Sequence, residues 1–169
     1  MTRYFEECKT AEDVKQAYKQ LVKKLHPDNN PGHDTTKDFQ EMQQEYRSAW
    51  ERLKNIHVNA DGETYEKATE ETADEYMAMI NQLFGLDGIE IELCGSWLWI
   101  TGNTKEHKET LKGMGFKWAC KKGAWYYHRD PWMKRSRKGG VPLDEIRAKY
   151  GSTRFTKYET ADDADRITA

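Results

Sequence analysis

The chain has 169 residues, 37% hydrophobic and 33% charged, which suits one ordinary domain or two small ones and excludes disorder by composition. Six Trp and nine Tyr predict packed cores, and the net charge of −2 conceals uneven blocks. Residues 1–54 balance ten basic against ten acidic side chains, residues 55–93 hold one Lys against ten acids, and residues 103–154 hold fourteen Lys and Arg against five acids, a layout that predicts separate surfaces for separate partners.

In chain order, Thr10 and Asp13 read as a capping-box helix start. Val14, Ala17, Tyr18, Leu21 and Leu25 then recur as one apolar stripe, while Lys15, Lys19 and Lys23 recur every four residues on a side expected to face solvent. Pro27 stops this helix, since the residue before a proline avoids the helical region, and Asn29, Asn30, Pro31 and Gly32 make the following loop. Thr35 with Asp38 starts a second helix, whose stripe is Phe39, Met42, Tyr46, Ala49 or Trp50, and Leu53. Two such helices joined by a short loop should pack antiparallel, with a short turn at Tyr4–Cys8 closing the pair. On the residues alone, His26 and Asp28 either satisfy a helix end or present polar groups at a hairpin tip, where binding residues often sit. The lysines are either a solvated face or a surface that steers an acidic partner.

The stretches "YFEECKTAEDVKQAYKQLVKKLHPDNNPG" and "KDFQEMQQEYRSAWERL" resemble the J domain of DnaJ-type (Hsp40) co-chaperones over residues 4–54. The resemblance implies that His26, Pro27 and Asp28 engage an Hsp70 (DnaK-like) chaperone and help trigger its ATP hydrolysis. It also implies that Lys15, Lys19, Lys23 and Lys24 dock on an acidic surface of that partner. The chain departs from the family pattern at Asn29, where a lysine is usual. It also has no Gly/Phe-rich linker, no zinc-binding cysteine repeats and no evident fourth helix after residue 54.

Residues 55–62 read as a loop, and residues 64–84 as a helix with acids crowding its first half and a stripe of Tyr65, Ala68, Thr72, Tyr76, Met79, Ile80 and Leu83. Beyond it, "IEIELCG" and "SWLWITG" alternate and meet at a turn, predicting a hairpin; Ile89, Ile91 and Leu93 share one face. "NTKEHKETLKGMG" reads as a helix capped by Asn103 or Thr104, and "FKWACKK" with "AWYYHR" as a second hairpin. The glycine-led entry "TGNTK" either offers free amides to a phosphate or is an ordinary cap. A small sheet with one helix leaves an aromatic face, and aromatics beside cations are how single strands are bound. Lys117, Lys121, Lys122, Tyr126, Tyr127, His128 and Arg129 are the candidates, joined by Lys134, Arg135, Arg137 and Lys138 of the basic run "WMKRSRKGG". A last helix, "PLDEIRAKYG", should dock through Leu143, Ile146 and Tyr150. The stretch "WLWITGNTKEHKETLKGMGFKWACKKGAWYY" is similar to a small module in proteins of bacterial mobile elements and phages, which points to a bacterial or phage source.

The expected fold is α+β. A J-domain-like antiparallel helical hairpin (1–56) and an acidic connector helix (57–86) precede an aromatic, basic ββαββ module with a terminal helix (87–155) and an acidic, disordered tail (156–169). The favoured function is a co-chaperone adaptor that engages an Hsp70 ATPase through its His-Pro-Asp motif and targets it through a client- or nucleic-acid-binding module. The alternative is a phage or mobile-element protein that binds DNA or RNA, or inhibits or regulates a host protein, with the hairpin as a contact scaffold only. No Ser-His-Asp, Cys-His or metal-ligand spacing appears, and Cys8, Cys94 and Cys120 are scattered, so no enzyme, cofactor or metal is expected. No apolar run nears the roughly 18 residues of a membrane span and no signal-peptide pattern appears, predicting a cytoplasmic chain without membrane contact.

Overall fold

The computed structural model describes residues 4–59, 61–129 and 141–156, with the side chains of 153–156 left aside. The basic run at 132–140, with Lys134, Arg135, Arg137 and Lys138, and the tail beyond residue 156 lie outside the described residues.

Helix α1 (Ala11–Leu25) begins at the expected capping box: Thr10 Oγ1 accepts from the Asp13 amide at 3.2 Å, and the Asp13 carboxylate accepts from the Thr10 amide at 3.0 Å. Helix α2 (Thr36–Leu53) buries Met42, Tyr46, Ala49, Trp50 and Leu53 against it. Thr35 does not cap α2 by its side chain; its hydroxyl donates instead to the Leu25 carbonyl at 2.8 Å and ties the loop to the end of α1. The Tyr4–Cys8 turn closes the hairpin, with the Tyr4 amide donating to Glu45 at 2.8 Å and Phe5 buried against Tyr46.

Residues 64–84 do not form one helix. Strands β1 (Ile56–Val58) and β2 (Thr64–Glu66) make an antiparallel hairpin turned at Gly62, whose φ of 83° favours glycine. His57 and Tyr65 stand opposite each other with rings stacked at 5.5 Å. Helix α3 is confined to Ala73–Phe84 because Thr72 and Glu75 form a second capping box that fixes its start. Glu75 sits in the first turn, where the helix dipole favours an acid. Tyr76, Met77, Ile80, Leu83 and Phe84 are buried, and Tyr76 packs among Tyr18 and Tyr46 with centroids 6.2 Å apart.

The C-terminal half is the expected ββαββ unit with one strand more. β3 (Ile89–Cys94), β4 (Trp97–Gly102), β5 (Lys117–Ala119), β6 (Ala124–Tyr127) and β7 (Thr153–Thr156) form one sheet in the order β5-β6-β4-β3-β7, all antiparallel. Ile91 faces Ile100 and Leu93 faces Leu98 in register, so these side chains and Trp125 share one face, which joins α3 and the helical hairpin in a single continuous core. The other face carries Glu92, Cys94, Trp97, Trp99 and Tyr126, and α5 (Leu143–Tyr150) lies over it through half-buried Leu143 and Ile146. Tyr150 is 49% exposed and does not anchor the helix as expected.

Helix α4 (Lys108–Gly113) is shorter than predicted. Turns occupy residues 103–107, where the Asn103 and Thr104 amides donate to the Gly88 and Gly102 carbonyls at 2.7 and 2.8 Å. These two amides are already used and are not offered to a phosphate. Gly102 is required here: its φ is 84°, and a Cβ would meet the Gly88 carbonyl oxygen at 2.4 Å.

Candidate functional site

The end of α1 is built to hold a sharp, exposed tip. Pro27 is barred from continuing the helix and opens a one-turn 3-10 segment, Pro27–Asn29. His26 is its N-cap, and His26 Nδ1 accepts from the Asp28 amide at 3.3 Å. The imidazole packs edge-on against Phe39 of α2 at 5.6 Å, which orients it while leaving it a quarter exposed. Asp28 is 73% exposed, with its carboxylate 3.6 Å from the His26 ring nitrogen. The two asparagines explain how the tip stays folded. Asn29 Nδ2 donates to the Lys23 carbonyl at 2.9 Å, and Asn30 Nδ2 donates to the Lys24 and His26 carbonyls at 2.9 and 3.0 Å. They satisfy carbonyls that a helix end leaves without partners. At position 29, where the family pattern has a lysine, this chain uses an amide for that purpose.

The four lysines of α1 do not share one environment. Lys24 is exposed and Lys23 partly so, both beside the tip. Lys15 is not solvent-facing: its ammonium pairs with Glu71 and lies 5.2 Å over the Trp50 ring and 4.8 Å over the Tyr76 ring. Lys19 is fully buried, against the expectation of a solvated face. Burial pulls its ammonium down to about 7, opposed by Cys94 and Glu92 of β3. Lys15 and Lys19 share one side as the helical period predicts, and that part of the helix is covered by later segments of the same chain, Glu71 among them. The contact is consolidated by the Trp50 indole, which donates to the Glu71 carbonyl at 3.0 Å.

Glu92, 1% exposed, is the centre of this covered region, and Arg147 of α5 clasps it with two bonds of 2.7 Å. Cys94 on the same face has its thiol pushed up to about 11 by burial and then by Glu92, which makes it unreactive. Sequence reasoning passed over Glu71, Glu92 and Arg147. The available signal was the pair of acids, Glu90 and Glu92, alternating inside the apolar run "IEIELC", on the strand face that also carries tryptophans.

The predicted aromatic and basic set divides. Lys117 and Lys121 are exposed at the β5–β6 edge beside Trp118, itself 45% exposed. Lys122 lies 4.8 Å over the ring of Trp99, and Tyr126 packs against Trp97 and Trp99 at 5.7 and 5.6 Å. Tyr127 points to the opposite face and packs on Phe116 at 5.4 Å, while Arg129 pairs with Glu75 at 2.7 Å. His128 is stacked on Trp97 at 4.5 Å and bonded to Ser96 at 3.0 Å, and burial lowers its pKa, so it is neutral at pH 7. Tyr127, His128 and Arg129 line a cleft of about 530 Å³ with Lys15, His57 and Glu71. Within it Lys15 pairs with Glu71, His57 contacts Glu12 at 2.8 Å, and Arg129 pairs with Glu75 at its rim. Among the described residues, no helix is long and apolar enough to cross a membrane.

Residues 5–57 match the family model of the DnaJ domain. No solved structure matches the chain significantly.

Proposed function

We propose that this chain, whose residues 5–57 are a DnaJ domain, is a co-chaperone adaptor that stimulates a DnaK-like Hsp70 ATPase through the tip His26-Pro27-Asp28. The observation that carries this reading is the tip itself. His26 is oriented by Phe39, Asp28 is held out to solvent, and the loop is pinned by Asn29 and Asn30 to the last carbonyls of α1. A pre-ordered tip loses little conformational entropy on docking. Lys23 and Lys24 flank it and supply electrostatic steering toward an acidic partner. The protein acts by recruitment, with no chemistry of its own. The test is the steady-state ATPase rate of a DnaK-type chaperone with added full-length protein; no acceleration at any concentration refutes the reading.

For the C-terminal module, the β5–β6 edge favours nucleic acid as the cargo. Lys117 and Lys121 lie beside exposed Trp118, a pairing of cations with a ring face suited to single strands. Retardation of single-stranded DNA or RNA by the full chain, falling steeply with salt, tests this. A scaffold role for the hairpin, in a mobile-element or phage protein that binds nucleic acid or a host protein, is favoured by one observation: Lys15 and Lys19 are turned inward. Retardation without ATPase stimulation would select that alternative.

A further inference from the structure

Helix α1 carries two pairs of lysines in opposite circumstances. Lys23 and Lys24 stand in its last turn beside the tip, Lys24 in open solvent. Lys19 and Lys15 lie one and two turns earlier, beneath residues that follow the hairpin in sequence. The Lys15 and Glu71 side chains are 12% and 6% exposed, and Lys19 is 0% exposed. The acids facing them, Glu71 ahead of α3 and Glu92 on β3, come from the acid-rich stretch 55–93. Lys15 is therefore already engaged by an acid of the same chain, and Lys19 is sealed beneath the same cover.

We propose that the segment before α3 and the sheet beyond it are a permanent internal occupant of the upper half of the α1 basic face, burying Lys19 and setting Glu71 where an acidic partner of Lys15 would stand. An Hsp70-type ATPase then docks through the lower half alone, at Lys23, Lys24, His26 and Asp28. This rests on the co-chaperone reading above. The cover is fixed because lifting it would expose Tyr18, Tyr46, Trp50, Tyr76 and Ile80, all at most 1% exposed and all in one core. An ion pair regained with a partner at the surface returns far less than the burial of one such ring. The consequence is a smaller docking surface that depends on two lysines, and a recruitment less sensitive to salt than a face of four would give.

The test titrates a DnaK-type chaperone with the full-length protein and reads the concentration giving half-maximal ATPase stimulation, with thermal unfolding measured alongside. Lys23→Ala with Lys24→Ala should raise that concentration about tenfold without lowering the unfolding midpoint, because both side chains lie at the surface. Glu71→Gln should lower the midpoint and leave the half-maximal concentration within about twofold, since the cover stays in place. Lys15→Met reports from the other side of the same pair and should behave as Glu71→Gln does. If Glu71→Gln makes stimulation appear at lower concentration, the segment is a removable lid and the proposal is wrong. If Lys15→Met weakens stimulation as much as the Lys23/Lys24 change while the midpoint holds, the upper half is open to the partner and the proposal is again wrong. A wild-type chain that never stimulates removes the co-chaperone reading itself, a result separate from these two.

Discussion

Lys19→Met offers the sharpest test of how the two halves of the chain meet. The ammonium of Lys19 lies in a fully buried position and titrates near 7, where an unfolded lysine titrates near 10.5. Below pH 7 both states carry the proton, and the native state bears the full cost of a buried charge. Between pH 7 and 10.5 the unfolded chain binds more protons than the native one, so wild-type stability rises with pH across that window. Above it the cost has vanished. The displacement from 10.5 to about 7 sets a ceiling of roughly 5 kcal/mol at about 1.4 kcal/mol per pH unit. Methionine has nearly the same length and no charge to desolvate. The assay is urea unfolding of both proteins at pH 6 and at pH 10. Relative to the variant, the wild type should gain a few kcal/mol between the two. Taking the difference cancels the other titrating groups. A gap that stays constant with pH would refute the buried placement of Lys19 and with it the covered face of α1.

Thr72→Ala removes the hydroxyl that accepts from the Glu75 amide and should cost about 1 kcal/mol in urea unfolding, without altering ATPase stimulation. Gly102→Ala forces a Cβ to within 2.4 Å of the Gly88 carbonyl oxygen at a φ of 84°, and should lower stability by at least about 2 kcal/mol by the same measurement. Asn30→Ala deletes two bonds that hold the tip, to the Lys24 and His26 carbonyls. Global stability should fall by about 1 kcal/mol, and ATPase stimulation, which needs the ordered tip, should fall more than stability does.

The helical hairpin was legible because its determinants are local. The capping box, the period of Met42, Tyr46, Ala49 and Leu53, and the break at Pro27 all act within a few residues. The two sheet hairpins were legible for the same reason, since alternation put Ile89, Ile91 and Leu93 on one face, where the register sets Ile91 opposite Ile100 and Leu93 opposite Leu98. What was missed depends on distant partners. A four-residue lysine spacing looks the same on a solvated face and on one covered by Glu71, 56 residues away. The stretch 64–84 carries a helical stripe throughout, but the cross-strand pair His57–Tyr65 and the Thr72–Glu75 cap divide it. Strand β7 becomes a strand only because β3 offers a free edge, which no pattern within 153–156 announces. In the site, His26 and Asp28 were found from the motif, whereas Glu92 and Arg147 meet only through the fold.

His26, held edge-on by Phe39 at the tip of a DnaJ domain, is expected to be the residue through which this chain triggers a partner ATPase. Single-turnover ATP hydrolysis by a DnaK-type chaperone, measured with wild-type protein and with His26→Gln, tests it most directly. The wild type should accelerate hydrolysis and the variant should not, with unchanged unfolding midpoints. Equal acceleration by both, or by neither, would contradict it.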